Sequence, residues 1–135
     1  MFQKILVPVD LSEKNRKTVA AARDLCQGAE LTLLHVIETI DDVPFEELES
    51  FYRRIEEKAN HELAALAEQA VDGGTTVYRQ VVYGKRAREI AAYADENGFD
   101  LIVLGSHPVT PGEPRSLTVS YQVAVLASCS VLLVK

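Results

Sequence analysis

A few short stretches of this chain carry side chains suited to holding a polar ligand. Asp10 follows the apolar run Lys4 to Val9, and a carboxylate there would accept hydrogen bonds from the hydroxyls of a sugar, as acidic residues do in dinucleotide folds. Gly105 closes the run Leu101-Ile102-Val103-Leu104 and would let a ligand approach the backbone closely. Thr118-Val119-Ser120 opens an apolar helical stretch whose free N–H groups and two hydroxyls could hold phosphate oxygens. A purely structural reading stays open beside each: Asp10 would cap the first helix, and Thr118 or Ser120 the last.

Other chemistries find little support. Cys26 and Cys129 are the only cysteines, both in apolar surroundings, where a thiol packs as a small hydrophobe. No CxxC or Cys/His spacing suggests a metal or a redox pair. His35 lies inside an apolar run with no second ligand at a useful distance, so it reads as a core or edge histidine. GxSxG, HExxH and Walker A patterns are absent, and His107, alone in a loop, is the only candidate proton carrier. A phospho-acceptor receiver needs a second acid beside Asp10 and an aspartate ending the third strand, where Tyr83-Gly84 stand. The expectation is a protein that is not an enzyme.

These residues need a scaffold, and the 135 residues are enough for one domain with a continuous core. The hydrophobic share is 47% and the charged share 25%, as in ordinary globular chains. A net charge of −6 argues against nucleic acid or an anionic membrane as the main partner. No apolar run approaches the ~18 residues of a membrane span, and the start enters a strand directly. A cytoplasmic location is expected.

Strand and helix patterns alternate along the chain. Lys4 to Val9, Leu31 to Val36, Thr75 to Tyr83, Leu101 to Leu104 and Val131 to Val134 read as strands. Between them, Ser12 is read as the N-cap of a helix striped by Val19, Ala21, Ala22, Leu25 and Cys26 and stopped by Gly28. Phe45, Leu48, Tyr52, Ile55, Ala59, Leu63, Leu66 and Ala70 mark a long second helix, whose charged face reads as solvated with i,i+4 ion pairs. Ala87, Ile90, Ala91 and Ala94 mark the third, and a last helix runs from Leu117 or Thr118 to Ala127. Such alternation implies an α/β fold, an open parallel five-stranded sheet of order 3-2-1-4-5 with helices on both faces. Connections leave strands one and four in opposite directions, so Val9-Asp10 and Leu104-Gly105 should flank a crevice at the usual ligand position. Val131-Leu132-Leu133-Val134 would then be an apolar edge protected only by Lys135, which predicts an antiparallel homodimer.

The sequence resembles the universal stress protein family along most of its length. The resemblance rests on Ile5-Leu6-Val7-Pro8-Val9-Asp10-Leu11-Ser12, Leu33-Leu34-His35-Val36, Gly84, Asp100-Leu101-Ile102-Val103-Leu104-Gly105-Ser106-His107, Val119-Ser120-Tyr121-Gln122-Val123 and Ala127-Ser128-Cys129-Ser130-Val131-Leu132-Leu133-Val134. It implies the same Rossmann-like sheet, related to adenine nucleotide hydrolase folds, and a dimer through the last strand. In members that bind ATP, the aspartate after strand one lies by the ribose and strand-two backbone near the adenine, which maps to Asp10 and Val36. The phosphates lie on a loop of form G-x-x-G-x9-G-[S/T]. Gly105 matches its first glycine, Pro108 takes the second position, and with one deletion Leu117 takes the third, with Thr118 as the hydroxyl. Proline has no N–H to donate and leucine adds a side chain where phosphate would approach, so the resemblance implies a degenerate site of low affinity or none. The alternative is an ATP or AMP site rebuilt around Gly112 and Arg115. Arg115 would pair with phosphate, or else be a solvated loop cation.

Overall fold

Ile5, Leu6 and Val7 are fully excluded from solvent, which a strand achieves only with both faces and both edges covered. The computed structural model describes residues 2–26, 28–71, 74–106, 111–114 and 118–135, and it puts this strand at the centre. The elements are β1 Lys4–Pro8, α1 Asn15–Cys26, β2 Glu30–Glu38, α2 Phe45–Ala70, β3 Thr76–Gly84, α3 Arg86–Glu96, β4 Leu101–Gly105, α4 Val119–Leu126 and β5 Ser130–Val134. All strand pairs are parallel and the order is β3-β2-β1-β4-β5, as the alternation predicts.

The period of two along each strand sorts the core into two layers. Ile5, Val7, Leu31, Leu33 and Val103 point to one face, packing with Val19 and Ala22 of α1 and Leu63 of α2. Leu6, Leu34, Ile102 and Leu104 point to the other, packing with Ile90 of α3 and Val123 of α4. Each such large side chain, fully buried, contributes about 1.5–3 kcal/mol. At the lower end of the sheet the Asp100 carboxylate accepts the backbone N–H groups of Gln3 and Lys4, at 2.8 and 3.2 Å. The start of β1 is thereby tied to the start of β4.

Local details depart from the sequence reading. Helix α1 starts at Asn15, and Ser12 supplies its backbone carbonyl to the Asn15 N–H (3.1 Å). Leu25 is exposed, and the buried face of α1 is made of Asn15, Thr18, Val19, Ala22 and Cys26. Phe45 is half-exposed at the start of α2, and the charged face of that helix holds one i,i+4 ion pair among the described residues, Glu49–Arg53. Cys26 is buried and Cys129 half-buried, both free, and burial pushes both thiols up from their ordinary range. That suits packing more than reactivity. No described helix is long and apolar enough to cross a membrane.

Candidate functional site

The shortness of β1 makes the crevice. Its ladder with β2 ends at the pair Pro8–Leu34, while β2 continues to Glu38 against β3. Continuing the β1–β4 register from Ile5–Leu101 and Leu6–Ile102 sets Val9 level with Gly105. Continuing the β1–β2 register sets Asp10 level with Val36. Four of the residues singled out in the sequence therefore occupy two adjacent rows, Val9 with Gly105 and Asp10 with Val36, at the point where the chain's crossovers diverge.

The exit from β1 is held on the β2 side. Val9 donates its N–H to the Leu34 carbonyl (2.8 Å), and the His35 ring donates from Nδ1 to the Val9 carbonyl (2.8 Å). His35 is thus a half-buried structural histidine on the interior strand β2, one of the core-or-edge places its apolar context predicts, and it fixes the backbone from which Asp10 projects. Asp10 is exposed, and its Oδ1 accepts the Ser12 N–H at 2.9 Å, an Asx turn instead of a helix cap. Within this turn Leu11 has φ 66°, a left-handed conformation that a leucine rarely adopts. Backbone of this kind persists where its surroundings impose it, and it often marks a ligand-holding turn.

Gly105 has a reason to be glycine apart from any ligand. A Cβ there would sit 3.2 Å from the Thr18 hydroxyl oxygen of α1, a close approach that needs some give. Just beyond it, the Ser106 N–H donates to the Val134 carbonyl (2.9 Å), tying the crevice wall to the last strand. At the start of α4 the Thr118 hydroxyl accepts the Tyr121 N–H at 3.2 Å, so this residue caps the helix. Ser120 bonds to the Thr118 hydroxyl at 3.5 Å. Arg115, His107, Pro108 and Leu117 lie outside the described residues. Gly112 is described, with φ 94°.

Several residues were invisible to sequence reasoning. Thr18 and Asn15 are both buried on α1, and the Asn15 Oδ1 has no hydrogen-bond partner among the described residues. Beyond the end of β2, Phe45 stacks on Tyr52 with ring centroids 5.2 Å apart, and Tyr83 meets both edge-on. The Tyr52 hydroxyl accepts the Ile40 N–H (2.8 Å). Burial, then the nearby Glu56 carboxylate, pushes the Tyr83 hydroxyl above its ordinary range. The only signal in sequence was the aromatic spacing on α2, which reads equally well as core.

With this geometry in view, comparisons with known proteins are informative. The sequence profile of the universal stress protein family matches residues 1–135. Universal stress protein YxiE of Bacillus subtilis is 31% identical and aligned over 100% of both chains. The solved structure of MJ0577 superposes with a TM-score of 0.80 at 27% identity, covering 100% of this chain and 96% of that one. A universal stress protein in complex with cAMP (TM-score 0.71, 22% identical, 99% and 97% covered) has the same fold. So does one from Archaeoglobus fulgidus in complex with dAMP (0.72, 18%, 99% and 98%).

Proposed function

Because this chain belongs to the universal stress protein family, we propose that it is a homodimeric regulatory module with a weak adenine-nucleotide site that grips the nucleoside more than the phosphates. The observation that carries this reading is the pair of adjacent rows at the switch point. Asp10 stands level with Val36, and Val9 with Gly105, where a ribose and base would lie. The phosphate side is the poor half, since Pro108 and Leu117 occupy the positions of two loop glycines and Thr118 is engaged in capping α4. Each charge-assisted hydrogen bond lost there costs roughly 1.5–3 kcal/mol. The cAMP and dAMP complexes of fold neighbours agree with a mononucleotide-sized ligand. The chain lacks the hydrolase motifs, so binding without turnover is the proposed mode of action, in the cytoplasm.

Isothermal titration tests this. AMP and ATP with magnesium should bind with similar Kd values, on the order of 0.1–1 mM, or about 4–5.5 kcal/mol. Asp10→Ala should abolish both. A micromolar Kd for ATP alone would establish instead a phosphate loop rebuilt around Gly112, whose left-handed φ of 94° is what favours that second reading.

The dimer should form through β5, which among the described residues pairs with β4 on one edge only. Leu132 and Leu133 are each 39% exposed there, and antiparallel pairing about a two-fold would cover them. Replacing both by lysine puts like charges along the edge. Sedimentation equilibrium at micromolar concentration should then report a monomer where the unaltered chain is dimeric; an unaltered chain already monomeric would refute the β5 dimer.

A further inference from the structure

We propose that a second copy of this chain docks the acidic, apolar corner at the start of its α2 into a basic, apolar groove between α3 and α4, at an interface separate from β5. The groove encloses about 460 Å³. One wall carries Lys85, Arg86 and Arg88, with Glu38 as the one acid lining the groove among the described residues, and the other carries Val119, Val125 and Leu126. Val125 and Leu126 are 66% and 54% exposed, on a helix with no charged residue of its own. Scattered exposed apolar residues are ordinary, but a contiguous patch beside a row of cations marks a contact surface.

The complement lies on the same chain. Ile40, Val43, Phe45 and Phe51 are exposed around the turn into α2, interleaved with Asp41, Asp42, Glu46, Glu47 and Glu49. The groove is therefore apolar and positive, and the corner apolar and negative, which is the pairing that specific interfaces use. Attraction between the two is already visible inside one molecule, where Lys85 pairs with Asp41 at 3.0 Å and Arg86 with Glu38 at 3.9 Å. Those pairs also establish that the patches adjoin. Arg88 makes no ion pair among the described residues and remains to meet an acid from outside.

Adjacency decides the symmetry. Two complementary patches side by side can both be satisfied about one two-fold axis, each corner entering the other copy's groove, so the contact closes as a dimer instead of extending as a fibre. An unrelated acidic partner could fit the groove alone, but it would leave the corner of α2 bare. Self-docking covers both.

The test uses the full chain carrying Leu132→Lys and Leu133→Lys, so that β5 pairing is suppressed, and reads association by sedimentation velocity up to about 100 µM, where a contact of standard size registers. A concentration-dependent dimer is expected. Arg86→Glu with Arg88→Glu should weaken it about tenfold or more, and Glu46→Lys with Glu47→Lys should do the same. Mixing the two charge-reversed chains should restore association, since both groove–corner contacts then pair opposite charges. Val125→Asp, which alters the apolar wall, should also weaken it, with an unchanged urea midpoint confirming the fold. No association in this background, indifference to the charge reversals, or failure of the mixture to recover would each overturn the proposal. Loss of the β5 dimer reading would appear separately, as unchanged association of the double lysine chain relative to the unaltered one.

Discussion

Leu63→Ala is expected to lower stability by about 2–5 kcal/mol, a large share of the 5–15 kcal/mol that holds a domain together. Leu63 is fully buried in the C-terminal third of α2 and belongs to the core layer that includes Leu31 and Leu33 of β2. The loss has two parts, the apolar surface returned to water and the cavity that remains. The cavity part should be near its maximum here, because the neighbours are strand residues held by β1 on one side and β3 on the other and cannot collapse inward. In urea the midpoint should fall by about 1–2 M with an unchanged slope. Leu25→Ala, exposed on α1, is the control and should move it little. A Leu63→Ala midpoint equal to that control would mean that α2 does not cover the sheet as described.

The second large effect is expected at Gly84, where the chain leaves β3 for α3. Its φ is 146°, and a Cβ added there would lie 2.6 Å from Cγ and Oε1 of Glu89. Gly84→Ala therefore meets two obstacles, a backbone conformation costing about 1–3 kcal/mol for a residue with a side chain and a collision with a neighbour. The Glu89 side chain is flexible, so the collision can be relieved by rotation. The backbone cannot adjust so simply, since Gly84 still pairs with Glu38 and the Lys85 carbonyl accepts the Glu89 N–H at 2.9 Å. A double-mutant cycle separates the two. Adding Glu89→Ala to Gly84→Ala should recover less than half of the lost stability in urea denaturation; full recovery would show that only the collision mattered.

Much of the fold was legible because its information is local. Each buried strand is a short apolar run, each helix has its stripe, and the alternation leaves few topologies for a parallel sheet. The grouping of Val9, Asp10, Val36 and Gly105 at the ends of the central strands followed from topology in the same way. What could not be read depends on partners distant in sequence. The last two residues of β2, Ile37 and Glu38, are strand because Tyr83 and Gly84 of β3 pair with them. Asp100 stands just before the apolar run of β4, and its bonds to the backbone of Gln3 and Lys4 join residues 97 and 96 positions apart. Thr18 is buried on α1 beside Gly105, whose missing side chain leaves room that no helical pattern reveals. At the site, residue types suggested a ribose carboxylate and a hydroxyl for phosphate. The structure chooses among the readings the residue types left open: Asp10 turns onto Ser12, and Thr118 caps the last helix through Tyr121.

The central place of β1 has a kinetic side. One of its edges is closed by β2 through pairs such as Lys4–Glu30, the other by β4 through Ile5–Leu101. Joining residues so much farther apart along the chain costs roughly 1 kcal/mol more in loop entropy. The closure of β1 onto β4 is the longest-range pairing in this sheet and raises its contact order. Until it occurs, the chain presents Ile5, Leu6 and Val7 along an unpaired apolar edge. The strand that is most protected in the finished molecule is thus the one most exposed to wrong partners while it folds.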